Sequence, residues 1–268
     1  MLAGTPRSKI VKEHISYSEL KTWAECSWRH KLQYIDGLNP FQGNEYTTFG
    51  TALHAVSEKY LVDAGAKNPE EYFERQFLQE LQKLKKKDKN LVMKADLVQE
   101  MRIQGTALAP QLIPSLKDHF GDYEIISVEE KLYEPIEGQN FKFKGFIDVV
   151  IKKEDMYHVI DWKSCSWGWN QNKKRDQLLA YQLTLYKAFF AKKHNIDPKK
   201  IKTHFGLLKR TAKTNQIEIF EISAGAKKTE NALNLMNKAL YNIFNKRFIK
   251  NKLSCKYCPF DGTPHCKK

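Results

Sequence analysis

The 268-residue chain carries 45 Lys+Arg against 31 Asp+Glu, a formal net charge of +14, with 41% hydrophobic and 12% aromatic residues. That composition can bury a real core and excludes wholesale disorder, and no apolar run approaches the roughly 18 residues of a membrane-spanning helix. The charge favours a polyanionic partner, nucleic acid first and an anionic membrane surface second. Met1–His14 is polar and lacks the apolar core of a signal peptide, so a cytoplasmic protein is expected.

The first helix is predicted to start near Ser16, where Ser16 and Glu19 have capping-box spacing. Leu20, Trp23, Trp28, Leu32 and Ile35 continue it as a roughly helical apolar stripe until Gly37 and Pro40. Further helices are predicted from about Phe49 to Leu61 and after Pro69, the latter ending in the basic run Lys83–Lys89. Residues 91–120 also read as helical, interrupted near Gly105 and Pro110. The pattern then switches to short β-branched and aromatic runs at Ile125–Tyr133, Phe141–Ile151 and Met156–Asp161. A helix over about Arg175–His194, strands at Lys202–Lys209 and Gln216–Ile222, and a helix over about Thr229–Ile249 complete the chain. This order predicts one α/β or α+β domain over 1–268, with a mixed sheet and a large helical portion ahead of it. Residues 55–120 form the expected helical insertion.

The five cysteines are Cys26, Cys165, Cys255, Cys258 and Cys266. An odd number without an export signal argues against a disulfide framework. The C-x2-C pair Cys255/Cys258, followed by Cys266, reads as metal ligation in a reducing cell. Cys165 reads as a semi-buried structural thiol.

The most telling stretch is Gly145-Phe-Ile-Asp148, then twelve residues, then Asp161-Trp162-Lys163. A tight turn at Glu154-Asp155 would place Asp148 opposite Asp161, with Cβ atoms about 5 Å apart. Two like charges so close invite a hard divalent cation, and Mg²⁺ favours carboxylate and water oxygens. Lys163, two residues beyond Asp161, points to the same strand face. There its ammonium can stabilise charge building on a phosphate under attack. The bland alternative is that Asp161 ends a strand and Lys163 is a surface residue. His54 and Glu58 share a helix face at i,i+4, as do Gln177 and Tyr181. Each pair also reads as ordinary boundary or core chemistry. Trp167, Trp169 and Lys173–Arg175 follow the acidic strand directly, where they either stack bases of a single strand or fill a loop.

These motifs, in this order, resemble the PD-(D/E)XK nuclease superfamily, specifically its RecB-like exonuclease branch. Ser16–Leu20 through Cys26 and Tyr34 is similar to the family's N-terminal helix with its single cysteine. Gly50-x-x-x-His54, Gly145-x-Ile-Asp148, Asp161-Trp-Lys163 and Gln177-x-x-x-Tyr181 resemble its G-x-x-x-H, G-x-x-D, D/E-x-K and Q-x-x-x-Y motifs. The C-terminal cysteines resemble the cluster of iron–sulfur members, including CRISPR-associated RecB-like and AddB-type nuclease domains. The resemblance implies a restriction-endonuclease-like core. It implies that His54, Asp148, Asp161 and the Trp162 backbone carbonyl bind Mg²⁺ or Mn²⁺, that Lys163 orients the attacking water, and that Gln177 and Tyr181 support the site. Cys26, Cys255, Cys258 and Cys266 would hold a [4Fe–4S] cluster, with residues 250–268 closing on Cys26. Because Cys266 lies far from Cys258 and next to His265, Zn²⁺ stays open as the alternative. The expected activity is a metal-dependent DNA exonuclease acting on single strands or duplex ends in recombination, repair or phage/CRISPR DNA processing, beside a helicase, recombination or CRISPR adaptation partner and away from membranes. Its rivals are a site-specific endonuclease, a catalytically silent DNA-binding component of a larger complex and a zinc-stabilised protein on an anionic membrane surface.

Overall fold

The structure, a computed structural model, describes residues 13–38, 43–63 and 65–267. Pro40 and most of the polar N-terminal stretch lie outside these residues. A short strand β1 (His14–Ser16) leads into α1 (Tyr17–Glu25), whose cap is Ser16: its Oγ accepts the Glu19 N–H at 3.3 Å. The Glu19 carboxylate meets His30 Nε2 at 2.9 Å. The single helix expected through Ile35 is broken at Cys26, which is extended (φ −163°, ψ 108°) and both ends α1 and caps α2 (Ser27–His30). A π-helical turn, Lys31–Ile35, follows.

Four helices come next: α3 (Glu45–Val62), α4 (Pro69–Lys87), α5 (Ala95–Leu108) and α6 (Leu112–Phe120). Strands β2 (Glu124–Pro135), β3 (Lys142–Lys153) and β4 (Met156–Cys165) form the predicted meander. The helix expected over about Arg175–His194 is α8 (Gln177–His194), which Asp176 caps by accepting the Leu179 N–H, and a short turn, α7 (Gln171–Lys174), precedes it. Then come β5 (Ile201–Lys209), β6 (Ile217–Glu221) and α9 (Ala226–Phe244), which stops short of the expected Ile249. Among the described residues no helix is long and apolar enough to cross a membrane.

The six strands make one mixed sheet, ordered β1-β3-β4-β5-β6, with β2 also on β3. The β1–β3 and β4–β5 pairs are parallel and the others antiparallel. Since β2 occupies one edge of β3 from end to end, β1 and β4 must share the other edge. There β1 pairs with residues 142–144 and β4 with 149–153, so residues 145–148 face a gap. Tyr186 of α8 reaches this gap, and a Cβ on Gly145 would lie 2.8 Å from its ring. Close approach of that ring, not turn geometry, is what requires glycine at 145.

One core lies beneath α1, α8 and α9, around Ile147, Val159, Leu183, Phe205 and Met236. A second fills the space between the other sheet face and α3–α6, around Phe49, Phe73, Met101, Ile160 and Trp162. The helices α3–α6 thus form the layer that covers that face.

At the end of the sheet away from Lys163, His158 Nδ1 lies 3.0 Å from His204 Nε2, with both residues buried. Burial, aided by Lys202 and by the neighbouring histidines, lowers His158 to about 4 and His204 to about 3. Below the ordinary histidine pKa the unfolded chain takes up protons that the folded one refuses. Stability is therefore expected to fall as pH drops from about 6.5 towards 4, by up to about 1.4 kcal/mol per pH unit for each histidine. Denaturant midpoints at pH 7 and pH 5 check this. A His158→Leu/His204→Leu variant should show the shallower dependence, and an unchanged slope would refute the assignment.

Candidate active site

Asp148 occupies the last residue of the gap, where β3 and β4 part. Val149 and Ile160 form the final ladder pair, so Asp148 and Asp161 come next in register and face each other across the opening, as expected for the tight hairpin. Asp148 Oδ2 accepts the Trp162 N–H at 2.6 Å, so a side chain replaces the lost strand partner. N–H and C=O of one strand residue point to the same edge, which directs the Trp162 carbonyl towards the same opening.

Asp161 is buried on the α8 side of β4. Its Oδ1 accepts from Gln182 Nε2 at 2.8 Å. Its Oδ2 lies 2.7 Å from the Lys163 ammonium, a charge-assisted contact. Burial pushes the Asp161 carboxyl up to about 6, with Lys163 pulling it down and Asp148 pushing it further up. For Lys163 burial works against the charged form, but Asp161 and Asp148 outweigh it and raise the pKa, so the ammonium stays protonated.

His54 comes from α3. A Cβ on Gly50 would lie 3.0 Å from Ser164 Oγ, so the G-x-x-x-H spacing brings this helix close against β4 and carries His54 one turn later to the opening. His54 Nδ1 is 3.4 Å from Asp148 Oδ1. Burial lowers the ring's pKa, but the Asp148 charge prevails and raises it to about 9.

The structure adds a residue that sequence reasoning missed. His54, Glu129 and Asp148 each offer a ligand atom within 4.8 Å of the others. On β2 the pairs Val128–Val149 and Glu130–Ile147 place Glu129 directly across from Asp148. Its backbone is left-handed (φ +51°), a conformation a glutamate adopts inside a strand only at a cost in strain. Burial and Asp148 raise its pKa. Asp148 is therefore flanked by a carboxylate on each neighbouring strand. Nothing local in Val128-Glu129-Glu130 marks one glutamate over the other; the strained φ and the register do.

Gln177 and Tyr181 are bonded to each other, Nε2 to Oη, at 2.8 Å. The helix amide that reaches the acidic cluster is instead Gln182, which also donates to Tyr186 Oη at 3.2 Å. Both pairs are i,i+4, but a five-residue offset turns the second towards β4, a rotation that spacing along the chain does not specify. Trp169 packs edge-on against Phe205 and Phe220 in the loop after β4, whereas Trp167 is 78% exposed. Glu58 is exposed on α3.

At the far side, Cys26, Cys255, Cys258 and Cys266 all line one cavity of about 300 Å³. Backbone N–H groups of Arg29 and Asn251 point at Cys26 Sγ, at 3.5 and 3.4 Å. The tail is tied to α1 and α2 by Ile249 N–H to Ser27 Oγ, by Asn251 and Ser254 side chains to the Glu25 carbonyl, and by Trp28 Nε1 to the His265 carbonyl. Cys165 stands apart in β4, its thiol pushed up by burial.

Asp148, Asp161, Glu129 and Lys163 thus meet where two strands of a mixed sheet diverge. The PD-(D/E)XK nuclease superfamily model matches residues 14–263, and the chain belongs to that superfamily. Among solved structures, a "putative exonuclease" from Eubacterium rectale shares the fold, with a TM-score of 0.58 over 97% of this chain and 94% of that one at 13% identity. A weaker likeness, to SSO0001, has a TM-score of 0.38 at 17% identity over 85% of this chain and 100% of that one. No curated protein matches the chain.

Proposed function

We propose that the protein is a divalent-metal-dependent deoxyribonuclease, acting as an exonuclease on single strands or duplex ends in DNA recombination, repair or processing. The observation that carries this reading is Asp148 between two strand-borne carboxylates, with the Lys163 ammonium 2.7 Å from one of them. Oxygen donors with one imidazole fit Mg²⁺ or Mn²⁺, and His54, Glu129 and Asp148 already offer ligand atoms within 4.8 Å of one another. Asp148, Asp161, His54 and the Trp162 carbonyl would hold the ion, and Glu129 joins them. When bound, such an ion supplies Lewis acidity and eases deprotonation of water.

The protein's own groups then have separable tasks. Gln182 fixes the Asp161 carboxylate, and the Trp162 N–H fixes Asp148, so neither reorients as the reaction proceeds. Lys163 donates to the attacking water and offsets charge on the phosphate oxygens. Water oxygen bonds to phosphorus as the bond to the 3′ oxygen breaks, leaving a 5′-phosphate. The water gives up one proton and the departing 3′ oxygen takes one up from solvent, so the products are a 3′-hydroxyl and a 5′-phosphate with protons in balance. Gln177 and Tyr181 support the site from the start of α8.

The four tail and helix thiols hold a [4Fe–4S] cluster that staples α1 to the C-terminus. All four thiols line a single cavity of about 300 Å³, which supports one shared group.

One experiment addresses both parts. Protein prepared anaerobically should contain iron, not zinc. With Mn²⁺ it should degrade end-labelled linear DNA progressively, spare closed circles, and stop on chelation. Circles cut as fast as linear DNA would overturn the exonuclease reading; a zinc-loaded, colourless protein would overturn the cluster.

A further inference from the structure

A cavity of about 780 Å³ lies between the π-helical turn and the C-terminal end of α9, within the ~300–1,000 Å³ range typical of ligand sites. It adjoins the cysteine cavity through Trp28, which lines both. Its walls are unusually rich in rings: Trp28, Tyr34, Phe141, Phe244 and Phe248 all contribute. Phe244 stands edge-on to Phe141 and is 54% exposed, so one face of a large aromatic is free at the mouth.

Two further features make this more than an apolar groove. The first is His30, fully buried on the cavity wall and stacked on Tyr34. Its Nε2 lies 2.9 Å from the Glu19 carboxylate, an acceptor, so Nε2 carries a hydrogen. Among the described residues its Nδ1 has no hydrogen-bond partner, so the ring is held on this wall by Glu19 and Tyr34. The second is charge. Lys31, ion-paired with Asp36, and Lys246 line the cavity together with Glu19, Lys31 and Lys250 both sit over the Trp28 ring, and residues 245–260 contain five basic and no acidic side chains.

We propose that this cavity is a binding site for single-stranded DNA, separate from the acidic cluster, which takes an unstacked nucleobase of the strand. The base stacks on Phe244, and the flanking phosphates lie on Lys31 and Lys246. Rings interleaved with cations are the arrangement that binds single strands with little sequence preference, because every base offers a π-face. The choice of DNA as the polyanion rests on the proposed nuclease function; the pocket's chemistry does not.

The test measures binding without cleavage. In an Asp161→Asn background and chelator, the Kd for a twenty-residue oligothymidylate is compared with that for an abasic strand of equal length. Phe244→Ala and Lys246→Glu should each raise the oligothymidylate Kd at least tenfold. Lys227→Glu, the same charge change at the other end of α9, should leave it unchanged. Abasic DNA should bind at least tenfold more weakly than oligothymidylate and be indifferent to Phe244→Ala. A second measurement needs no pocket substitution: 5-iododeoxyuridine strands should photo-cross-link to Trp28, Tyr34 or Phe244. Unchanged affinity in both pocket variants, equal binding of abasic DNA, or cross-links confined to other regions such as Trp167 would overturn the proposal. So would a protein partner that competes for the cavity while single strands do not. An inactive wild type with this binding intact would overturn the nuclease reading alone.

Discussion

Asp161→Asn is expected to lower the rate of DNA hydrolysis by about a thousandfold, equivalent to about 4 kcal/mol in the barrier, while leaving the fold intact. The carboxylate is buried, pushed up to about 6, and faces like charges on neighbouring strands. Its removal therefore relieves repulsion and desolvation that the apo protein sustains for the sake of the site. Against that gain, Lys163 loses its closest partner. The two effects oppose each other, and the melting temperature in metal-free buffer should stay within a few degrees of wild type. The second readout is ligand linkage: Mn²⁺ should raise the melting temperature of the wild type and not of Asp161→Asn. Lys163→Met should be similarly inactive but keep its response to Mn²⁺, because the ammonium acts on water and phosphate and not on the ion. Glu129→Gln, which preserves the strained backbone and removes only charge, should fall between wild type and Asp161→Asn in both measurements. An active Asp161→Asn protein would remove the basis for the proposed chemistry.

Gly206→Ala is expected to cost about 3 kcal/mol of stability, at the upper end for overpacking a well-filled core. Gly206 lies beside Trp162 in the parallel β4–β5 ladder, and an added Cβ would sit 2.2 Å from two atoms of the indole. The ring cannot withdraw. It is 1% exposed, fills the core under α3–α6, and is anchored by Nε1 to Ser57 Oγ at 2.9 Å. At roughly 2–4 °C per kcal/mol for a domain of this class, the melting temperature should drop by about 6–12 °C. Activity measured well below melting should fall as well, by about a hundredfold. Trp162 is the residue between Asp161 and Lys163, and a displacement of about 1 Å there misaligns both. Gly225→Ala provides the contrast: a Cβ there meets nothing within 4 Å, so stability should change by less than about 1 kcal/mol. A Gly206→Ala protein that melts with wild type would contradict the packing of Trp162.

Residues whose relation is set by local periodicity are legible in the sequence alone. Asp148 opposite Asp161 follows from a two-residue turn, and Lys163 beside Asp161 follows from the two-residue repeat of a strand. The same holds for the bond between Gln177 and Tyr181 on one helix face. The hairpin therefore matches its expectation in register as well as in kind. The long N-terminal helix departs from its expectation for an equally local reason, one that apolar periodicity does not encode. Cys26 leaves helical geometry so that its sulfur can face the tail, more than 220 residues away in sequence.

What periodicity cannot specify is which strand lies next to which and how far a helix is rotated over a sheet. Glu129 becomes a neighbour of Asp148 only because β2 pairs along the whole of β3. The opening at residues 145–148 exists only because β1 and β4 divide the other edge between them. Gln182, not Gln177, touches Asp161 because α8 is turned that way when it buries Leu183, Phe189 and Phe190. Sequence alone determined the chemical groups, their spacing within each element and the net charge that selects a polyanion, because these are properties of short segments. The tertiary structure decided the third carboxylate, the strained backbone that holds it and the aromatic cavity beside the tail. Those arise where segments far apart in the chain pack together, and the free energy that chooses among such packings belongs to the whole core.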